Sequence, residues 1–355
     1  MGKVLMKGNE AIGEAAIRAG CLNYFAYPIT PQSEVAEYLA RRMPEVGGVF
    51  LQGESEVAVG YMIFGAAGCG ARVFTTSSSP GISLMSEALS YITCAQCPAV
   101  FVNIMRGGPG LGGILPSQGD YFQATKGGGH GDYRLLVMAP ASVQEAVEMV
   151  MAAFPLAEKY RNPVMILGDG LIGQMMEPVA FPEDLLSEPT NKDDWATTGI
   201  GNRSGDTPNL VKSLFLDPAQ LNDHNLLLKA KYDRMRRDEV RYEAYNMDGD
   251  YRVLIVSYGT MSRVCRTAID FLKEEGLEVA MIRPQTLFPF PEKAVRDAAG
   301  KAGCQVAVSI EMSMGQMVED VERSIQGRCP VEWYGKCGGE VPTPEEIMDV
   351  IRGML

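Results

Sequence analysis

The sequence predicts an α/β protein built from two domains, each with a mostly parallel sheet. The chain has 355 residues, of which 46% are hydrophobic, enough for more than one domain with its own core. Short apolar segments alternate with longer helical segments, once before residue 180 and again after residue 250. This alternation is typical of parallel sheets that are covered by helices.

The first domain is predicted to span residues 1–180 and to contain six strands. The predicted strands cover residues 23–27, 49–51, 72–76, 99–105, 135–138 and 163–167, and the predicted helices 9–20, 33–43, 57–67, 82–95 and 143–159. Ligands of such sheets bind at the carboxyl ends of the strands. Thr30, Glu56, Ser77–Ser79 and Arg106 all follow predicted strands closely. We therefore expect these side chains to converge on one crevice.

Residues 181–250 are predicted to be a linker that contains one charged helix. Charges of both signs alternate between residues 218 and 245, a pattern typical of a solvated helix. Strand and helix patterns resume at Tyr251. The predicted strands cover residues 252–259, 277–284 and 304–311, and the predicted helices 261–275, 292–299, 315–326 and 344–354. Residues 251–355 are thus predicted to form a second, smaller α/β domain.

Charge and hydropathy exclude several classes of partner. The chain carries 32 basic and 44 acidic residues, a formal net charge of −12, and has no basic run. This balance argues against binding to nucleic acid or to an anionic membrane surface. The longest uncharged apolar segment, near Val57–Cys69, is too short to span a bilayer. Since no signal peptide is visible after Met1, we expect a cytoplasmic protein that binds other proteins and small molecules.

The eight cysteines are poorly spaced for a cluster or a disulfide framework. Six are scattered singly, and Cys94 and Cys97 form one CxxC at the end of an apolar helix. An iron–sulfur cluster normally needs four thiolates. We expect Cys94 and Cys97 to be structural, with a redox or metal role as the alternative.

Two carboxylates stand where an apolar strand gives way to an apolar helix. Residues 57–67 carry no charge, which predicts a helix that is buried on most of its surface. Glu54 is predicted to cap this helix and to face the positive end of its dipole. Glu56 lies one step nearer the helix, where a carboxylate in an apolar setting can share a proton with a ligand nitrogen.

Thr30 lies between two prolines. Pro28 and Pro31 restrict the backbone on both sides of Thr30, which fixes the direction of its hydroxyl. The simpler interpretation is that Thr30 or Ser33 caps the next helix, and for Ser33 we expect that role.

Several other motifs are weak. Gly108, Gly110 and Gly113 satisfy G-x-G-x-x-G, but the nearby prolines and the missing helix argue against a dinucleotide site. Asp169 and Asn191 have the spacing of a thiamin diphosphate metal motif. Prolines interrupt the segment between them, so Asp169 is predicted to be a strand-end turn residue. Of the two histidines, His130 is a candidate ligand contact and His224 is expected to be inert. No metal site is predicted.

Longer segments resemble a known family. The segments YPITPQSE at 27–34, ESEVAVGYMIFGAA at 54–67 and SSSPGISLM at 77–85, with Arg106, resemble the 2-oxoacid:ferredoxin oxidoreductases. The resemblance is to the subunit that carries the pyrimidine-binding domain of these thiamin diphosphate enzymes. QTLFPFP at 285–291 and EMSMGQM at 311–317 resemble the transketolase C-terminal-like domain that follows it. Residues 116–134 and 160–178 are similar to the branched-chain (2-oxoisovalerate) members. One departure is Gln32-Ser33, where the family often has Ser-Thr.

This resemblance implies the oxidative decarboxylation of a small 2-oxoacid to acyl-CoA, with reduction of ferredoxin. Glu56 matches the glutamate that hydrogen-bonds N1′ of the thiamin diphosphate aminopyrimidine, with Pro28 and Thr30 in the same cofactor site. Thr30 and Arg106 match the residues that hold the substrate carboxylate and carbonyl. The resemblance places the ligands of the diphosphate and Mg²⁺, the [4Fe-4S] clusters and the coenzyme A domain on companion subunits, without which this chain is inactive.

Two alternative functions and the choice of substrate remain open at the level of sequence. The alternatives are another thiamin diphosphate enzyme, of the transketolase or 2-oxoacid dehydrogenase type, and a non-catalytic scaffold subunit. The loop after Arg106 offers Leu111, Ile114 and Leu115, and its nearest basic residue is Lys126. An apolar wall of this kind favours a branched aliphatic chain over 2-oxoglutarate, with pyruvate used poorly.

Overall fold

The computed structural model describes residues 2–183, 190–199 and 207–355. The remaining parts of the predicted linker, residues 184–189 and 200–206, lie outside the described residues. The strands are β1 (Val4–Lys7), β2 (Asn23–Ala26), β3 (Val49–Gln52), β4 (Phe74–Ser77), β5 (Val100–Met105), β6 (Leu136–Met138), β7 (Val164–Asp169), β8 (Met176–Val179), β9 (Tyr242–Tyr245), β10 (Val253–Val256), β11 (Val279–Pro284), β12 (Thr286–Phe288), β13 (Val306–Glu311) and β14 (Val331–Gly335).

The helices lie between these strands, and a short π-helical turn covers Gln123–Gly127. The helices are α1 (Gly8–Arg18), α2 (Ser33–Glu45), α3 (Glu56–Gly68), α4 (Ser79–Cys94), α5 (Val143–Tyr160), α6 (Gly170–Gln174), α7 (Pro218–Asp238), α8 (Gly259–Glu274), α9 (Glu292–Ala299), α10 (Met317–Ile325) and α11 (Pro344–Met354). In the described part of the chain, no helix has the length and apolar character needed to cross a membrane.

The larger sheet has seven strands in the order β12-β6-β7-β5-β4-β2-β3. Six of them pair in parallel, and β12 pairs antiparallel with β6. Every residue of the central strands β5 and β7 is buried, because helices cover both faces of the sheet. The six predicted strands are therefore found, and the carboxyl ends of β2, β4 and β5 lie side by side.

A second sheet has five strands in the order β14-β13-β10-β11-β9. Its inner strands are parallel and fully buried, and β9 pairs antiparallel with β11 at one edge. Two of its strands are absent from the sequence-based expectation. Both β9 and β14 are edge strands with exposed residues, so their apolar pattern is weak. The α/β class with mostly parallel sheets is confirmed.

Two strands, β12 and β9, pair across the predicted domain boundaries. β12 comes from the second half of the chain but completes the larger sheet, pairing with β6 through Thr286↔Met138. β9 comes from the predicted linker but joins the smaller sheet. Edge strands depend on partners that are remote in the sequence, which is why local patterns did not reveal either pairing.

The burial of helices α7 and α3 can be compared with what their sequences predict. The charged helix α7 is not solvated on all sides, since Leu228, Lys231 and Met235 are buried along one face. As expected, α3 is covered on most of its surface, but one face is open, where Val57 is 40% and Tyr61 38% exposed. Since α3 carries no charge after Glu56, the face that this chain leaves open is apolar.

Gln118 joins the two sheets. Its amide Nε2 donates to the carbonyl of Tyr258 at 2.9 Å, and its Oε1 accepts from the backbone N–H of Met312 at 2.9 Å. Its own backbone N–H donates to the carbonyl of Met312 at 2.8 Å. Tyr258 lies two residues after β10 and Met312 directly after β13, so the fully buried Gln118 fixes the segment after β5 against the second sheet. Asp169, at the end of β7, adds a bond from Thr260 at 3.0 Å.

We predict that Gln118→Ala destabilises the protein by about 2–6 kcal/mol. The substitution leaves a buried carbonyl and a buried N–H unpaired, at a cost of about 1–3 kcal/mol each. The shift of the urea unfolding midpoint, followed by circular dichroism, measures the effect. Gln123→Ala is the control, since it removes a partly exposed amide that bonds only the Ser83 hydroxyl. Equal midpoints for the two variants would contradict the role given to Gln118.

Candidate active site

Glu56 is the first residue of α3 and is only 8% exposed. The helix is capped by Ser55, whose hydroxyl accepts from the N–H of Ala58 at 3.2 Å. Glu54 is exposed and does not cap the helix, so that prediction is wrong. Because Ser55 caps the helix, the buried carboxylate of Glu56 is not needed as the cap and is available for another interaction.

Gly81 makes the space that Glu56 occupies. A Cβ atom at Gly81 would lie 2.9 Å from the Oε1 atom of Glu56 and 2.1 Å from the hydroxyl oxygen of Ser77. Carbon cannot approach either oxygen so closely. In the same helix pair, a Cβ at Gly60 would lie 2.7 Å from that of Ala88, so α3 and α4 pack closely. Sequence analysis missed Gly81, although a glycine in the first turn of a helix, directly after Pro80, was a visible signal.

Arg106 lies at the end of β5 and is 7% exposed. Its guanidinium donates through Nη1 to the carbonyl of Thr30 and through Nη2 to that of Leu111, both at 3.0 Å. Its backbone N–H donates to the Ser79 hydroxyl at 3.1 Å. Arg106 thus connects the ends of β2, β4 and β5. In the described part of the chain its buried Nε–H has no partner.

Thr30 is exposed at the rim of the crevice, as is Pro28. Thr30 lines a hollow of about 550 Å³ with Pro31, Ile114, Leu115 and other residues. The α2 helix begins after Gln32 without a side-chain cap, so the expectation that Ser33 caps it is wrong. Gln32 is instead fully buried and accepts from the hydroxyl of Thr76.

Unpaired polar atoms concentrate at this edge of the sheet. Ten buried side-chain atoms in the described ranges lack a hydrogen-bond partner, and six of them belong to residues at or near the ends of β2, β4 and β5. These six are Gln32 Nε2, Thr75 Oγ1, Ser77 Oγ, Ser78 Oγ, Asn103 Oδ1 and Arg106 Nε. An unpaired buried polar group costs about 1–3 kcal/mol, so such a cluster indicates where a polar ligand supplies the missing bonds.

Asp120 belongs to the same region and was not predicted. Its carboxylate accepts from Asn103 Nδ2 at 2.8 Å, and it also bonds the hydroxyl of Ser79. Burial raises the pKa of the Asp120 carboxyl above its ordinary value, and these two hydrogen bonds oppose the rise. Ser79 thereby connects Asp120 to the backbone of Arg106.

Other candidates lie elsewhere or have local roles. His130 faces Ser90 at 3.3 Å and packs edge-on against Tyr91. His224 bonds the carbonyl of Cys94 at 2.7 Å. Asp169 caps α6, as a strand-end residue should, and Asn191 bonds only its neighbour Asp193 among the described residues.

The eight cysteines are free thiols, and Cys304 and Cys329 lie close enough to interact. Cys97 is fully buried and Cys94 partly buried, which agrees with a structural role. Within residues 2–183, 190–199 and 207–355, no three His, Cys, Asp or Glu side chains are grouped so that they could hold a metal ion.

Comparison with known proteins identifies the family. Residues 14–218 match the profile described as pyruvate flavodoxin/ferredoxin oxidoreductase, thiamine diphosphate-binding. The chain belongs to the 2-oxoacid:ferredoxin oxidoreductases. Residues 252–347 match the core domain II of pyruvate:ferredoxin oxidoreductase. The family resemblance found in the sequence is therefore confirmed.

Relatives of the oxidoreductase family match over the full length. The chain is 47% identical to the ketoisovalerate oxidoreductase subunit VorB of Methanothermobacter thermautotrophicus, covering 99% of this chain and 98% of that protein. It is 39% identical to the 2-oxoglutarate synthase subunit KorA of Archaeoglobus fulgidus, covering 99% of both.

Solved structures agree with the family assignment. The 2-oxoglutarate:ferredoxin oxidoreductase from Magnetococcus marinus, solved with 2-oxoglutarate, coenzyme A and succinyl-CoA bound, is 29% identical with a TM-score of 0.85. The match covers 99% of this chain and 65% of that one. A split-gene transketolase, at 15% identity, 98% and 97% coverage and a TM-score of 0.62, shares the fold alone.

We predict that Gly81→Ala lowers 2-oxoacid-dependent turnover of the assembled enzyme at least tenfold. The added methyl group must displace the Glu56 carboxylate or the Ser77 hydroxyl, which occupy its space. Steady-state rates measure the loss. Gly353→Ala is the control, because a Cβ at this position of α11 also meets nothing within 4 Å and lies far from α3 in the chain. A fully active Gly81→Ala enzyme would show that the position of the Glu56 carboxylate does not matter.

Proposed function

We propose that this chain supplies the pyrimidine-binding half of the active site of a multisubunit enzyme. The enzyme decarboxylates a 2-oxoacid oxidatively, forms acyl-CoA and reduces ferredoxin. The observation that supports this most is the buried Glu56 carboxylate, packed against Ser77 and Gly81 within the cluster of unpaired polar atoms. Membership of the oxidoreductase family and the name of the VorB relative point to the same reaction.

The residues of the crevice fit the aminopyrimidine of thiamin diphosphate. A pyrimidine ring with an amino group offers the donors and acceptors that Gln32, Ser77 and Ser78 lack. Glu56 is proposed to hold a proton at ring atom N1′ and to exchange it during turnover. Pro28 and Thr30 form the adjacent rim of the cofactor site. When bound, thiamin diphosphate accepts the electron pair of the carbon–carbon bond that breaks.

Arg106 is proposed to bind the substrate carboxylate, with Thr30 beside it. A guanidinium suits this role because it offers paired donors to a planar carboxylate. In the described structure both Nη atoms are engaged by neutral carbonyls, those of Thr30 and Leu111, while Nε is free. Charge-assisted bonds are about twice as strong as neutral ones, so a carboxylate can replace the Leu111 carbonyl. Substrate binding then releases the loop that carries Leu111.

A branched-chain substrate such as 2-oxoisovalerate is favoured by what surrounds this position. Ile114 and Leu115 line the 550 Å³ hollow beside Thr30, and Leu111 lies on the same loop. These three residues are 62%, 57% and 82% exposed, respectively, so we infer that a companion subunit completes the wall. Lys126 forms an ion pair of 2.6 Å with Asp320, so its charge is already engaged. It is therefore a poor partner for the second carboxylate of 2-oxoglutarate.

The remaining parts of the enzyme are proposed to lie on companion subunits. These parts are the ligands of the diphosphate and Mg²⁺, the [4Fe-4S] clusters and the coenzyme A domain. The VorB and KorA relatives are themselves named as subunits, which supports a shared assembly. We propose a cytoplasmic location, because the reaction requires coenzyme A as acyl acceptor and oxidised ferredoxin as electron acceptor. We also propose the division into residues 1–180, 181–250 and 251–355, with β9 and β12 bridging it.

Acyl transfer to lipoamide or to an aldehyde is the competing reaction, as in a 2-oxoacid dehydrogenase or a transketolase. The transketolase likeness shows only the fold, so the acceptor decides between the two proposals. Reduction of viologen or ferredoxin that depends on coenzyme A supports the oxidoreductase.

We predict that Glu56→Gln leaves the assembled enzyme folded but nearly inactive. Glutamine keeps the volume and a hydrogen bond but cannot exchange a proton with N1′. The measurement is the steady-state rate of coenzyme A-dependent viologen reduction. A rate above a tenth of wild type, a loss of less than about 1.4 kcal/mol, would count against the assignment.

The control for this substitution is Glu54→Gln, two residues away. Glu54 is exposed and caps nothing, so its amide variant should retain most of the activity. If Glu54→Gln proved the more damaging change, the roles of the two carboxylates would be reversed.

We predict that the enzyme uses 2-oxoisovalerate at least tenfold better than 2-oxoglutarate in competition. Burial of the branched chain against the apolar loop contributes about 1–3 kcal/mol per carbon. Pyruvate, with a single methyl group, should be used poorly. The ratio of acyl-CoA products, measured by mass spectrometry, tests the prediction.

Lys126→Met is the informative variant for this experiment. Because Lys126 pairs with Asp320, its removal should leave the product ratio unchanged. A preference for 2-oxoglutarate that disappears in Lys126→Met would show that the ammonium group reaches the substrate. A preference that persists would place the second cation on a companion subunit.

A further inference from the structure

A second large cleft lies away from the crevice of Glu56 and Arg106. Its volume is about 820 Å³, within the range of about 300–1,000 Å³ that small-molecule sites usually show. Its walls come from the π-helical turn, the end of α7, β9, β12, α9 and α10, so both sheets contribute. None of the residues that line it was assigned to the active site.

The cleft is basic although the chain as a whole is acidic. Seven of its lining residues are basic and three are acidic, against a net charge of −12 for the whole chain. The basic residues are Lys126, Arg134, Arg236, Arg237, Lys293, Arg296 and Arg323. A concave surface lined by one sign of charge focuses the potential and attracts ligands of the opposite sign.

Five of these cations have carboxylate partners. Lys126, Lys293 and Arg323 pair with the acidic residues of the cleft, and Arg236 and Arg237 pair with acids of α7. The other two guanidinium groups are different. Arg134 donates to the carbonyls of Lys126 and Tyr133, and Arg296 donates to that of Ser324. In the described ranges neither forms an ion pair, so both have donors and charge to offer a ligand.

Aromatic and apolar side chains share the cleft with these charges. Leu287, Phe288, Phe290 and Tyr242 line it. The guanidinium of Arg236 lies over the ring of Phe288, 5.2 Å from its centroid. Planar rings and planar guanidinium groups offer stacking surfaces to a flat heterocycle. A ligand that fits the whole cleft therefore combines an anionic group with a planar ring.

We propose that this cleft binds a phosphorylated nucleotide, with its phosphates on Arg134 and Arg296 and its base against the aromatic side chains. Guanidinium groups bind phosphate oxygens through paired donors, which gives geometric as well as electrostatic preference. A free nucleotide and the 3′-phospho-ADP portion of coenzyme A have this chemistry in common. The inference does not depend on the proposed reaction, because binding can be measured without turnover.

The test is equilibrium dialysis of the assembled enzyme with radiolabelled ATP, in the absence of 2-oxoacid. We expect saturable binding that unlabelled ATP displaces and that adenosine or inorganic phosphate at the same concentration does not. Displacement by coenzyme A, with the same dependence on Arg134 and Arg296, would identify coenzyme A as a source of the nucleotide. Coenzyme A that binds without displacing ATP would leave the free nucleotide as the ligand.

Substitutions locate the binding. Arg134→Gln with Arg296→Gln should weaken ATP binding at least tenfold, and size-exclusion chromatography verifies that the variant is assembled. Lys293→Gln offers a milder test, because this side chain is 88% exposed and its removal cannot disturb the core. Arg41→Gln is the matched control, an exposed arginine on α2 outside the cleft.

Three results would overturn the proposal. The first is an assembled enzyme that binds no ATP, as when a companion subunit fills the cleft. The second is binding that the double variant and Lys293→Gln leave unchanged. The third is displacement of ATP by an equal concentration of inorganic phosphate, which would reduce the cleft to a simple anion site.

Discussion

The set of hydrogen bonds made by Gln118 is the constraint on which the geometry of the crevice depends. One buried side chain bonds the residues that follow β10 and β13, and its backbone N–H adds a third bond. The segment between Arg106 and Asp120 is therefore fixed at both ends, by β5 and by the second sheet. Because amide groups buried without partners are costly, the two sheets cannot separate without exposing this network to water.

The same cost of unpaired buried polar groups explains why the crevice is suited to bind a ligand. Most buried polar groups in proteins are paired, yet the hydroxyls of Ser77 and Ser78, Nε2 of Gln32 and Nε of Arg106 lack partners within the described ranges. The surrounding core, with fully buried β5 and β7, is what keeps these groups in place. A ligand that forms hydrogen bonds with these groups removes the free-energy cost of leaving them unpaired in the folded protein. Rigid strands and an incomplete set of hydrogen bonds together make a binding site.

Exposed apolar surface shows where the chain depends on others. Val57 and Tyr61 lie one turn apart on an open face of α3, which begins with Glu56, and Leu84 on α4 and Leu111 on the loop after Arg106 are also exposed. Extended apolar surface of this kind marks sites of association. Such a face explains why residues 57–68 of α3 carry no charge although three of them are exposed. It also places the proposed catalytic carboxylate next to the surface on which a companion subunit can pack.

The sequence by itself determined the alternation of strands and helices and the position of Thr30, Glu56 and Arg106 after strands, because both follow from local periodicity. It also carried the family resemblance. Only the tertiary structure decided that β12 completes the first sheet and that Gly81 makes room for Glu56. These features depend on atoms that are close in space and distant along the chain. Local patterns carry no information about such contacts, since an edge strand or a close approach is specified by its partner.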